Sequence, residues 1–116
     1  MSGANPHRGE VSLRLGEREI ALRPSFAALV AIERETGLGL MQLAYRLGCG
    51  SVEHLPTIVR EGAHAAGEAV ERVEIEAAID AAGVAPMLRA ASALLANALN
   101  GGVPEKNADA AEAATG

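Results

Sequence analysis

Aromatic side chains are almost missing from this chain: 116 residues contain no Trp, one Tyr and one Phe. A core built without them must come from Leu, Ile, Val and Ala. Such a core favours closely approached helices, and at about 25 cal/mol per Å² of buried apolar surface it predicts modest stability unless a partner adds more. Cysteine is as scarce. Cys49 stands alone, so an internal disulfide is excluded and the expected setting is a reducing cytoplasm. No apolar run approaches the ~20 residues of a bilayer-spanning helix, and the N-terminus lacks the basic start and apolar run of a secretory signal. Positive charge is short as well. Ten Lys and Arg face fifteen Asp and Glu, a net charge of −5, which argues against a binder of nucleic-acid backbones and leaves nucleic acid and membrane off the list of expected partners.

What is present reads as an α+β chain in which an N-terminal β-hairpin precedes four to five short helices. A polar lead, 1–10, comes first. Val11, Leu13 and Leu15 then alternate with Ser12 and Arg14, and after Gly16-Glu17 the residues Ile20 and Leu22 alternate with Ala21 and Arg23. Period two marks half-buried strands, and a glycine at the reversal supplies the positive φ of a tight turn. An isolated hairpin is marginal in water. Its aliphatic face must therefore lie on helices or extend into a sheet with another subunit.

Ser25 follows Pro24 as an N-cap, and the spacing predicts a helix over 26–36 with Gly37 as its stop. Phe26, Leu29 and Val30 form its expected apolar stripe, with Glu33 projecting into the arc that should be buried. Glu33 is thus either a partner-facing charge or a core-edge residue paired with Arg23 or Arg34. A short helix over 40–47 is expected next. Another begins near Pro56 and carries Leu55, Ile58, Val59, Gly62, Ala63 and Ala66 on one face, where Gly62 would let a second backbone approach. "VERVEIEAAIDAAG" reads as a fourth helix stopped by Gly83, and the last runs from about Pro86 to Asn100. Its broad apolar face includes Leu88, Leu95 and Leu99, which serve either the core or a groove for another chain. After residue 101 the composition loses its large apolar residues, so 102–116 is expected to be a disordered tail beyond a single domain spanning 11–101.

Reactive constellations are weak. Glu61 and His64 have the Glu-x-x-His spacing of a di-iron bundle, but such sites require a second copy and two more glutamates, and no second Glu-x-x-His exists in the chain. Cys49 and His54 have no orienting Asn or Asp beside them. The glycines at 37, 39, 48 and 50 make no phosphate-cradling pattern. No catalytic, metal-binding or cofactor-binding residue is assigned, and the expectation is a protein that is not an enzyme.

Three segments, "NPHRGEV", "LRPSFAALVAIERETGLGL" and "LLANALNGG", together resemble the phage tail assembly chaperone family found in gene transfer agents. Members of that family begin with an Asn-x-x-Arg-Gly-Glu lead, here Asn5, Arg8, Gly9 and Glu10. A hairpin follows, then a helix ending in Glu-x-x-x-Gly, here Glu33 to Gly37. The similarity covers about 5–101, is one of pattern alone over 51–84, and departs at the hairpin turn, where Gly16-Glu17 replaces the usual Asp-Gly or Asn-Gly. It implies a non-enzymatic chaperone in the bacterial host cytoplasm that coats the tape measure protein and meets tail tube subunits during assembly. The hairpin edge would then be open to another copy or a tube subunit, with the lead capping it. Arg8, Glu10, Glu33, Leu88, Leu95 and Leu99 are the residues expected to meet partners. The rival expectations are a structural, tube-associated component of the particle and a cytosolic binding module unrelated to phage.

Overall fold

Alternation of aliphatic and polar residues gives two antiparallel strands, β1 (Val11–Leu15) and β2 (Arg18–Leu22). Leu15 pairs with Arg18 across the two-residue turn, Leu13 with Ile20 and Val11 with Leu22. Gly16 sits at φ 60°, the positive value needed at the first central position of so short a reversal. The Gly16-Glu17 pair therefore sets the same tight register as an Asn-Gly turn would. The computed structural model describes residues 4–5 and 8–101; the expected tail, 102–116, lies outside the described residues.

Five helices follow: α1 (Phe26–Thr36), α2 (Leu40–Gly48), α3 (Leu55–Ala65), α4 (Arg72–Ala82) and α5 (Val84–Asn100). Ser25 caps the first as expected, its Oγ accepting from the Ala28 amide at 3.1 Å, and Gly37 closes it. The hairpin lays its aliphatic face, Leu13, Leu15, Ile20 and Leu22, on the helices instead of pairing it away in a larger sheet. β2 packs on α3 and β1 on α5. The core is continuous from these strand residues through Ile32, Leu43, Ile58, Val59 and Ile75 to Leu94 and Leu95, all aliphatic.

α3 is the central element, touching α1, α4, α5 and β2. Gly62 is what lets it sit so close. A Cβ there would stand 2.8 Å from Leu94 Cδ2 and 3.2 Å from Leu22 Cβ, and the Gly62 carbonyl accepts from the Arg23 amide at 2.9 Å. The close backbone approach expected at Gly62 is thus between α3 and the end of β2.

The expected stripe of α1 is corrected. Phe26 is 81% exposed, while Ala28 and Ile32 are the buried residues of that helix. At 100° per residue, Ala28 and Ile32 lie about 160° and 120° round from Phe26, so the helix turns its largest apolar side chain outward. Glu33, on the Phe26 side, is consequently exposed and not buried.

Candidate functional site

The polar lead folds back on itself before β1 begins. The Asn5 carbonyl accepts from the amides of Arg8 and Glu10, both at 3.0 Å, and the Glu10 carboxylate accepts from the Asn5 amide at 2.8 Å. Gly9 is buried, and its carbonyl accepts from Asn97 Nδ2 on α5 at 3.0 Å. Lead and last helix, the two ends of the sequence pattern, are therefore tied together. Arg8 remains exposed.

Glu33 pairs with neither Arg23 nor Arg34 among the described contacts. Its carboxylate accepts from the Leu40 amide at 3.1 Å, which places negative charge on the open N-terminus of α2. The Gln42 side chain accepts the neighbouring Gly39 amide at 2.8 Å. Of the three leucines singled out on α5, Leu95 is fully buried, Leu88 is partly buried against the core, and Leu99 is 44% exposed.

Glu61 and His64 share α3 but do not converge on a ligand. Glu61 is held by Arg60 at 3.2 Å, and Arg60 also reaches Glu35 at 3.2 Å. His64 Nε2 lies 3.1 Å from the Val70 carbonyl. Burial raises the Glu61 carboxyl above the ordinary range, helped by a hydrogen bond to Glu35 and by that residue's charge, while Arg60 and His64 pull more weakly the other way. Among the described residues, no group of three His, Cys, Asp or Glu could hold a metal ion, and no helix is long and apolar enough to cross a membrane. Cys49 is exposed, and His54 faces Glu53 at 3.7 Å.

Two surface features stand out, the second at the hairpin edge that the resemblance implied would be open. One is on α2, where Met41 and Tyr45, four residues apart, are 71% and 74% exposed. Both aromatic residues of the chain, Phe26 and Tyr45, thus face outward. The other lies along the hairpin. The closing pair Leu15–Arg18 exchanges hydrogen bonds, so Leu13–Ile20 and Val11–Leu22 do too, and the N–H and C=O groups of Ser12, Arg14, Glu19 and Ala21 point away from the partner strand. On the β2 side two outward amides are engaged: Glu68 accepts from the Ala21 amide at 3.3 Å, and the Gly62 carbonyl takes the Arg23 amide. On the β1 side, among the described residues, no backbone hydrogen bond reaches Ser12 or Arg14 from outside the hairpin. A groove of about 300 Å³ runs there between β1 and Pro86, Arg89 and Ala90 of α5. It meets, at Arg14 and Pro86, a larger groove of about 760 Å³ floored by Ala77, Ala78, Ala81 and Ala82 of α4.

A small α+β domain with an open strand edge and outward aromatics has the build of an interaction domain. The chain belongs to the family described as phage tail tube protein, GTA-gp10, which it matches over residues 8–101. No curated protein and no solved structure matches it. The family description confirms a phage or gene transfer agent tail protein and overturns the assembly-chaperone reading, since it names a protein of the tube where the resemblance implied a helper that departs. It fits the structural, tube-associated rival and sets aside a module unrelated to phage.

Proposed function

We propose that this chain is a non-enzymatic structural component of a phage-type tail, seated against the tube and in contact with tube subunits. The match to a tail tube family over residues 8–101 carries the reading. The geometry supports a tube-associated position over a self-contained wall. Among the described residues, one two-stranded hairpin beside five helices cannot close a sheet by itself.

The outward placement of Phe26, Met41 and Tyr45 also supports a bound role. Aromatic residues and Met are enriched where protein surfaces meet, and a core this short of aromatics has spent none of them on itself. Arg8 and Leu99, both solvent-facing, remain available to partners, and the tape measure protein is not a required partner in this reading.

Purified tube subunits mixed with this protein test the proposal by size-exclusion chromatography with light scattering. Co-elution as a complex, or incorporation into polymerised tubes, is the expected result. Separate elution at tens of micromolar together with exclusion from tubes would count against it.

A further inference from the structure

We infer that the outer edge of β1 is a strand-addition site for an extended, acid-bearing segment of another tail protein, held by the backbone of Ser12 and Arg14 and by the side chains of Arg14 and Arg89. The partner's identity as a tail protein rests on the function proposed above; the site itself does not.

The first argument is the asymmetry of the hairpin. Exposed strand edges template pairing with other chains, and folded proteins usually cover them. Here the end of β2 is engaged, by Glu68 on the Ala21 amide and by Gly62 on the Arg23 amide. β1 offers two outward N–H and two outward C=O groups at Ser12 and Arg14, spaced for an added strand. Beside them lies the groove walled by Pro86, Arg89 and Ala90. A strand entering it would hydrogen-bond to β1 on one side and rest on α5 on the other.

The second argument is charge. The whole chain carries −5, yet the charged side chains lining this groove are Arg14 and Arg89. β1 and α5 contain no carboxylate at all. The nearby carboxylate is Glu19, which accepts from Ser12 Oγ and faces Arg14 at a loose 3.9 Å, both charged side chains being more than half exposed; so weak a pair leaves Arg14 able to turn to a carboxylate on an added strand. A second copy is the poorer occupant: antiparallel pairing of two β1 edges would gather both copies' Arg14 and Arg89, and like charges across adjacent strands repel. An extended segment with Asp or Glu facing those arginines is matched in both hydrogen bonding and charge.

The test uses the full chain, ¹⁵N-labelled, and a ten-residue peptide of alternating Val or Thr and Asp, with the corresponding Lys peptide as control. The expected result is shifted and exchange-protected Ser12 and Arg14 amides with the Asp peptide and at least tenfold weaker binding of the Lys peptide, with the preference reversed in R14E/R89E. Ser12→Pro removes one outward N–H without touching the ladder and should abolish binding; should it fail to fold by circular dichroism, the arginine variants decide. Binding without charge preference, shifts confined to α2 or α4, or no binding at millimolar peptide would overturn the inference. So would a concentration-dependent dimer lost on R14E/R89E, or NOEs from these amides to residues 105–112 of the free chain, which would give the edge to a second copy or to the chain itself. Because the probe is a peptide, failure here leaves the tube-binding experiment intact, and failure there leaves this one intact.

Discussion

Asn97, on the last helix, donates from Nδ2 to the carbonyl oxygen of Gly9 at 3.0 Å, joining residues 88 positions apart inside the domain. The bond explains why a polar lead precedes the hairpin: it pins the start of β1 to α5 and so fixes one wall of the β1 groove. Asn97→Ala leaves the Gly9 carbonyl unpaired in a buried place and is expected to cost about 1–3 kcal/mol in urea denaturation. The nearby Asn100→Ala, on an exposed residue, should stay within about 0.5 kcal/mol. Equal effects of the two would deny the bond its role.

Gly62→Ala sets two effects against each other. Alanine gains roughly 0.5–1 kcal/mol of helix propensity, but its Cβ meets Leu94 Cδ2 at 2.8 Å and Leu22 Cβ at 3.2 Å inside a filled core. Overpacking of this kind typically costs about 1–3 kcal/mol, so a net loss of stability is expected and Gly62→Val should lose more. Thermal melts of both variants against Gly48→Ala, a helical glycine whose added Cβ would meet nothing within 4 Å, distinguish a packing effect from a general intolerance of substitution.

Glu33→Ala should loosen the first turn of α2 while leaving the fold in place. The Leu40 amide loses its carboxylate acceptor, and a charge of that kind at a helix N-terminus is worth about 0.3–1 kcal/mol at low ionic strength. Faster amide exchange at Leu40 to Gln42, with little change in α4 or α5, is the expected pattern.

Glu61 gives a pH dependence whose sign is fixed by burial and Glu35, the two causes that raise its carboxyl. The folded state binds this proton more readily than the unfolded chain does. Ionised Glu61 therefore disfavours the fold above its raised folded-state value, and that cost is relieved as pH falls through that value toward the ordinary value of 4.5. Glu61→Gln has no such titration. Between pH 7.5 and 5, wild type should gain stability relative to Glu61→Gln in paired urea titrations; a gap that is constant, or that moves the other way, contradicts the assignment.

The hairpin was legible because alternation and a turn glycine are local signals, and Ser25 and the close approach at Gly62 were legible for the same reason. Phe26 was misplaced because a stripe drawn through the largest apolar residues ignores Ala28, whose small side chain lies on the buried face of α1 with Ile32. The role of Glu33 turned on a helix start seven residues on, and the cap of Asn97 on Gly9 on a contact across most of the chain. That a hairpin edge would be open followed from the resemblance; which strand would be engaged did not, because Glu68 reaches the Ala21 amide through a contact that no periodicity encodes. A tail protein was reached by pattern, and the family match names a tail tube protein where the pattern had suggested a departing helper.

The central claim is that this chain stays with the tail it helps to build. Quantitative mass spectrometry of purified, nuclease-treated particles, calibrated with labelled peptides from the described region and from the tube subunit, tests it most directly. The account predicts this chain in finished particles at a fixed ratio to the tube subunit; finished, infectious or transducing particles that lack it would contradict the account.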